Sequence, residues 1–295
     1  MNTENDDKKK SDRDSQFAEK RRAFRDAKRA RSGLPPLNKS GKNRPPRRGS
    51  LYENAIDPDT IHLYGLHTVR AALDNPRRSI SKLMVSQNAV ARLEIENIEA
   101  LPFEVEICHP SEIDKLLGDD SVHQGALLIT RPLSPRPLSN LNETQLVIIL
   151  DQVTDPHNVG AIIRSAVAFG AGALITTQRH SPSESGVLAK SASGALELID
   201  LIEERNLAEA IEAIQAQGFQ TIGLDSEAPE ALEEAFRGER IALVLGAEGK
   251  GLRQKTRSVC SNLARLDMPG AIKSLNVSNA TAIALYAARN HLKTL

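Results

Sequence analysis

Leu146-Val-Ile-Ile-Leu150 runs into Asp151-Gln-Val-Thr-Asp-Pro-His-Asn-Val-Gly-Ala-Ile-Ile-Arg-Ser-Ala166, and this passage decides the fold. Five consecutive apolar residues predict a strand buried on both faces. Asp155-Pro156 marks a turn, and the pattern beyond it predicts a helix over Val159–Phe169. Working outward toward the C-terminus, strand and helix keep alternating. Strands are predicted at Ala173–Thr176, Glu197–Ile202, Gln220–Leu224, Ile241–Leu245 and Ala264–Asp267. Helices are predicted at Val187–Ser193, Leu207–Gln217, a short one near Pro229–Phe236, and Ser278–His291. Such alternation implies a mainly parallel sheet covered on both faces, which binds ligands at the carboxyl ends of its strands. The loops after Leu150, Leu245 and Asp267 are therefore where chemistry is expected.

Upstream, Leu66–Leu73, Ala89–Ile98 and a Ser-capped Ser111–Leu117 read as helices, while Lys82–Ser86, Val105–Cys108 and Ala126–Thr130 read as strands. This is a small α/β domain. Arg131-Pro-Leu-Ser-Pro-Arg-Pro137 has little to pack and reads as an extended linker. The expected division is a basic extension over 1–58, a small α/β domain over 59–131, a linker over 132–143 and a larger α/β domain over 144–295.

The 295 residues balance 38 basic against 38 acidic side chains, but unevenly. Residues 1–50 carry 16 Lys/Arg and 7 Asp/Glu, with four prolines between Pro35 and Pro46. A segment so charged and so poor in apolar residues buries too little to offset its ordering entropy, so a disordered arm is expected, with a transient helix over Ser15–Arg31. Cationic arms favour polyanions, RNA foremost. No apolar run reaches the ~18–20 residues of a membrane span, and no secretory signal is apparent at the N-terminus. Cys108 and Cys260 lie far apart without metal-ligand spacing, which argues against a zinc site or disulfide framework and fits a reducing cytoplasm.

Three loops carry the candidate chemistry. In the first, Asn158 is a candidate N-cap, Gly160 permits close backbone approach, and Arg164 is the cation among apolar neighbours; a helix N-terminus with a planar cation suits phosphate. The second, Leu245-Gly246-Ala-Glu248-Gly-Lys-Gly251, places three glycines in six residues after an apolar strand. It is neither a Walker loop nor Gly-x-Gly-x-x-Gly, and its backbone is free to approach a ligand, with Glu248 available to accept from Arg164 or from backbone. The third, Leu266-Asp-Met268-Pro-Gly270-Ala-Ile-Lys-Ser274-Leu275-Asn276-Val-Ser278, offers Ser278 or Asn276 as a cap. Its small polar groups between apolar ones suit a cofactor carrying both an adenine and an amino acid. Phe169-Gly-Ala-Gly172 only imitates a nucleotide loop; it follows a helix, and Gly170 reads as a helix terminator.

These three strings, in this order and spacing, resemble the signature motifs of the SpoU/TrmH branch of the SPOUT superfamily of RNA 2′-O-methyltransferases. Within it the chain is most similar to the bacterial 23S rRNA (guanosine-2′-O-)-methyltransferase subfamily. Tyr64-Gly-Leu-His67 and His123-Gln-Gly125 extend the likeness into the small domain, so that it runs from Tyr64 to the C-terminus; the basic extension falls outside it. The resemblance implies a trefoil knot in the C-terminal domain, a ribosomal-protein-like RNA-binding N-terminal domain, S-adenosyl-L-methionine as cofactor, no metal, and a cytoplasmic homodimer acting on RNA, with 23S rRNA the expected substrate. It implies cofactor contacts at Leu245, Gly246, Leu266, Met268 and Leu275, and catalytic roles for Asn158, Arg164, Glu248, Ser274 and Asn276. Arg164, held by Glu248, Asn158 and a substrate phosphate, is expected to orient the ribose hydroxyl and help remove its proton. The competing readings are a tRNA 2′-O-methyltransferase and a non-catalytic ribosome-assembly protein.

Overall fold

The computed structural model describes residues 59–118, 120–141 and 143–294. The expected basic arm, with its Ser15–Arg31 helix, lies outside the described residues. All the described residues belong to one compact unit built around two sheets.

The first sheet contains β1 (Ile61–Tyr64), β2 (Ile80–Val85), β3 (Glu104–Ile107) and β4 (Ala126–Thr130) in the order β1-β4-β2-β3. It is mixed: β4 runs antiparallel to both β1 and β2, whereas β2 and β3 are parallel. Helices α1 (Leu66–Asp74), α2 (Gln87–Arg92) and α3 (Pro110–Leu117) connect the strands. Two expectations change here. The helix predicted over Ala89–Ile98 stops at Arg92, because Glu94 turns left-handed at φ 52° and Asn97 starts a separate 3₁₀ turn. Helix α3 is capped by His109 rather than Ser111: its ring nitrogen accepts from the Ser111 amide, and Pro110 takes the first helical position, where no amide is needed.

The second sheet contains β5 (Leu146–Asp151), β6 (Ala173–Thr177), β7 (Asp200–Glu204), β8 (Gln220–Leu224), β9 (Glu230–Ala231), β10 (Ile241–Gly246) and β11 (Asn262–Arg265). Their order is β7-β6-β5-β10-β8-β11-β9, and every pairing is parallel. Helices α4 (Pro156–Ala168), α5 (Gly186–Ala192), α6 (Leu207–Ala216), α7 (Leu232–Ala235), α8 (Gln254–Val259) and α9 (Val277–Lys293) accompany it. Two cores result. Leu146, Ile148 and Leu150 face one with α4, α5 and α9; Val147 and Ile149 face the other with α6. That alternation is why β5 reads as a continuous apolar run.

The strand predicted at Glu197–Ile202 begins only at Asp200. Ser193 and Gly194 both take left-handed backbone, and Ala195–Leu198 coils into a 3₁₀ turn that buries Glu197. β11 ends at Arg265 instead of Asp267, which frees Leu266 to line a cleft. Helix α4 is capped by Asp155, whose side chain accepts from the His157 amide, so Asn158 sits inside the first turn with its side chain available. The final helix is capped by Asn276 and not by Ser278. Strand β1 and helix α8 were not apparent from pattern at all.

Helix α4 ends as predicted: Gly170 takes φ 72°, its amide bonds to the Val167 carbonyl, and Ala171 reaches back to Ala166. Gly160 permits the expected close approach at the start of α4, and what approaches is α5. A Cβ there would sit 2.5 Å from the Leu188 carbonyl oxygen and from Ser191 Cβ, so the glycine lets α4 and α5 touch. Gly160→Val is therefore expected to destabilise the protein by about 1–3 kcal/mol through overpacking, measured as a lower denaturation midpoint with an unchanged m-value.

Candidate active site

The parallel sheet brings the ends of β5, β8, β10 and β11 to one edge. Between β8, β10 and the segment beyond β11 lies a cleft of about 310 Å³, at the lower end of the roughly 300–1,000 Å³ usual for small-molecule sites. Leu245, Gly246, Leu266, Met268 and Leu275, the five positions expected to hold a cofactor, all line it. Glu248 and Ser274 from the expected catalytic set join them; Asn158, Arg164 and Asn276 do not. Leu224, Asp225 and Ser226 form part of the wall and were missed from sequence. The available signal was the parallel pairing of β8 with β10, which puts the end of β8 beside Gly246.

At the rim, three loops meet on one carboxylate oxygen. Glu248 Oε1 accepts from Asn158 Nδ2 at 3.2 Å, Asn276 Nδ2 at 2.8 Å and the Val277 amide at 3.3 Å. Asn276 Nδ2 also donates to Asn158 Oδ1 at 2.9 Å, while its own Oδ1 accepts from the Ser278 amide at 2.9 Å and so caps α9. Both amide orientations are set by this arrangement, since an acceptor must face the helix amide.

Arg164 stands apart. It is exposed on α4 and makes no hydrogen bond or ion pair among the described residues. The expected restraint by Glu248 and Asn158 is not present within this chain. The reason is helical geometry: six residues amount to about 9 Å of rise and place the two side chains about 120° apart around the axis.

The glycine loop is anchored by a pair the sequence reading overlooked. Asp151, wholly buried at the end of β5, accepts from Arg253 Nε at 2.6 Å and from the Arg253 amide at 3.0 Å. A carboxylate ending an otherwise apolar strand demands such a partner, which was the legible signal. Nearby, burial first and Asp151 second push the Cys260 thiol up to about 12, so it is not a nucleophile at neutral pH. At Gly246 the close approach is internal: a Cβ there would collide with the Gly251 backbone, and Ala247 and Gly251 form a bridge that doubles the loop on itself. On the other side of the cleft, Lys273 Nζ donates to the Met268 carbonyl at 2.6 Å, drawing the final loop together.

The donor set suits an adenosyl amino acid. Leu245, Leu266, Met268, Leu275 and Val277 supply apolar surface, and Asp225, Ser226, Ser274 and the loop backbone supply polar contacts. Among the described residues no cluster of three or more His, Cys, Asp or Glu side chains could hold a metal, and no helix is long and apolar enough to cross a membrane.

An all-parallel α/β sheet with a backbone-rich cleft and an amide–carboxylate cluster at its edge defines a class of small-molecule-dependent enzyme. Comparison with known proteins specifies which. Residues 145–286 match the SpoU rRNA Methylase family and residues 62–136 match the RNA 2′-O ribose methyltransferase substrate-binding family. The chain is 34% identical over 237 residues to the 23S rRNA (guanosine-2′-O-)-methyltransferase RlmB of Pseudomonas putida, covering 77% of this chain and 94% of that one. It is equally 34% identical over 236 residues to the Escherichia coli enzyme of the same name, covering 77% and 96%. In fold it is similar to the SpoU methyltransferase AviRb from Streptomyces viridochromogenes in complex with AdoMet, with a TM-score of 0.68 and 21% identity over 79% of this chain and 90% of that one. The chain belongs to the SpoU rRNA methylase family.

Gly246→Ala is expected to push Gly251 and Leu252 out of place and weaken S-adenosylmethionine binding by at least tenfold in titration calorimetry. Unchanged affinity would separate the cofactor from this loop.

Proposed function

We propose that the protein is an S-adenosylmethionine-dependent RNA 2′-O-ribose methyltransferase acting on a guanosine of 23S rRNA. The observation that carries this is the coincidence of all five expected cofactor positions on one cleft, with Glu248 tying Asn158 and Asn276 together at its rim. The match of residues 62–136 to a substrate-binding family favours rRNA over a tRNA substrate, because the relatives named for 23S rRNA align across that region as well. The intact rim cluster favours catalysis over a purely structural role in ribosome assembly.

When bound, the sulfonium cofactor supplies a methyl group to an attacking oxygen. The chain's own residues must hold it, place the ribose 2′-hydroxyl in line and take up the proton that leaves that oxygen. Leu245, Leu266, Met268 and Leu275 hold the cofactor's apolar parts, and Gly246 and its neighbours offer backbone groups. Glu248, held by the Asn158 and Asn276 side-chain amides and by the Val277 amide, keeps the three loops at fixed separation and so preorganises the cleft. Ser274 and Asn276 border the acceptor position. Arg164 binds the substrate phosphate beside the target ribose, orients the 2′-oxygen and assists its deprotonation.

Because Arg164 does not reach Glu248 in its own chain, we place it in a site completed by a second copy. The outer face of α9 supports that arrangement: Ile283 and Tyr286 are 45% and 58% exposed, and Tyr286 meets Phe169 at the end of α4 edge to face. A homodimer through α4 and α9 covers these apolar groups and brings Arg164 of one protomer toward the cleft of its partner. The proposal includes a knotted C-terminal domain, as the family resemblance implies. It includes a ribosomal-protein-like RNA-binding role for the small domain and places the enzyme with its rRNA substrate in the cytoplasm. To the basic extension it assigns added RNA affinity.

Arg164→Ala is expected to lower methylation of a 23S rRNA transcript by about 100-fold or more while cofactor affinity stays within twofold; full residual turnover removes Arg164 from the mechanism. Tyr286→Asp is expected to yield monomers in light scattering and to lose activity with them.

A further inference from the structure

The seam between the two sheets contains a heavily buried charge cluster. Arg78, in the turn between α1 and β2, has a side chain with no solvent exposure. Its guanidinium lies between two carboxylates of the larger domain: Nη1 is 2.7 Å from Glu184 Oε1, and Nη2 is 2.5 Å from Glu197 Oε1. Nε approaches Glu197 Oε2 at 3.2 Å, and Nη1 also donates to the Arg131 carbonyl at 3.0 Å. The carboxylates are tied on their far sides. Glu197 Oε2 accepts from Asn75 Nδ2 at 2.6 Å, and Glu184 Oε2 accepts from the Leu133 amide at 2.7 Å. One cation thus joins the small domain, the connecting segment and the methyltransferase domain.

The backbone around this cluster is packed closely. A Cβ at Gly194 would lie 3.0 Å from Ala71 Cβ, and one at Gly186 would collide with the His62 carbonyl. Outside the buried cluster, Arg77 pairs with Asp200 at 3.0 Å, and the Arg136 amide donates to the Leu201 carbonyl at 2.7 Å, so the connecting segment is fastened along the edge of β7. The expected extended linker is thus fastened at Leu133 and Arg136.

Two carboxylates around one cation, all out of solvent, is an expensive way to obtain stability, since packed apolar residues of similar volume commonly serve as well. Burial raises the pKa of Glu184 despite the neighbouring guanidinium, consistent with that cost. What the arrangement does supply is direction: a planar donor hydrogen-bonded to Glu197 and to the Arg131 carbonyl, with Glu184 paired by charge on its other side, admits one orientation of the groups it joins.

We propose that Arg78 is a positioning residue for methyl transfer, holding the small domain in a single orientation over the methyltransferase domain so that RNA gripped by the one presents one ribose to the cleft of the other. The inference rests on the RNA methyltransferase reading above. It assigns Arg78 no contact with substrate or cofactor; the residue acts through Glu184 and Glu197. The consequence is a reaction in which binding and alignment separate. RNA still binds the small domain when the clamp is lost, but the target hydroxyl is no longer delivered in line, which is the part of catalysis most sensitive to small misplacement.

The test uses the full chain in two forms. Arg78→Met leaves two buried carboxylates unpaired and is expected to lower thermal stability; the triple variant Arg78→Met/Glu184→Gln/Glu197→Gln removes those charges and is the informative one. With a 23S rRNA transcript as substrate, the folded triple variant is expected to lose at least tenfold in kcat. RNA and cofactor dissociation constants should stay within threefold, methylation should spread to riboses neighbouring the target, and small-angle scattering should show a broadened distance distribution. Wild-type kcat with a single methylated ribose, in a variant of normal stability, overturns the proposal. Should the wild-type protein itself methylate no 23S rRNA transcript, the functional reading fails instead. Scattering then decides the orientation claim on its own: an unbroadened distribution in the triple variant overturns it, and a broadened one sustains it.

Discussion

The structure depends on the register between β5 and β10. Six residue pairs run from Leu146 opposite Ile241 to Asp151 opposite Gly246. The last pair sets beside each other the glycine that opens the Gly246–Gly251 loop and the buried acid that anchors the loop's far end through Arg253. A slip of one residue would turn every side chain of β5 to the other core and separate these two groups. The apolar run of the strand and the position of the site are thus one constraint. Burial on both faces specifies the register, and the register brings Asp151 to the start of the loop.

From that edge the site is assembled by groups with more than one task. Asn276 caps α9 with its oxygen and reaches Glu248 and Asn158 with its nitrogen. Glu248 accepts the Val277 amide, one of the first amides of the same helix, in addition to both asparagines. A carboxylate at a helix N-terminus is favoured by the unpaired amides there. The final helix therefore cannot form its first turn as observed without also placing the rim of the cleft. Folding of the C-terminal segment and preorganisation of the site share the same hydrogen bonds.

Much of this was legible in the sequence because it rests on local pattern. Strands such as Gln220–Leu224 and helices such as Leu207–Ala216 follow from apolar runs and periodicity, and the Gly170 terminator follows from glycine's freedom at positive φ. The three loops were locatable because parallel sheets expose strand ends at one edge. What escaped was decided by tertiary contact. Glu197 sits in a stretch with apolar neighbours that reads as a strand, yet it coils to meet Arg78, more than a hundred residues earlier in the chain. Asp155 outcompetes Asn158 as a cap because Pro156 already occupies the first helical position. Asp151 carried a legible signal, a charge at the end of a buried run, but its partner Arg253 lies beyond the glycine loop and no local spacing points to it.

Arg164 marks where reading one chain reaches its end. The sequence groups it with Asn158 at one phosphate-suited helix N-terminus, and the helix instead separates them in angle and height. A guanidinium exposed on α4, next to buried apolar residues, is poorly explained by stability: it makes no ion pair among the described residues. Its position becomes sensible when an anion arrives from outside the chain. A phosphate provides the multidentate anionic partner that the planar guanidinium favours, and in the dimer proposed above that phosphate lies beside the cleft of a second copy. The polar rim around Glu248 is complete within one protomer, whereas the cationic element is not.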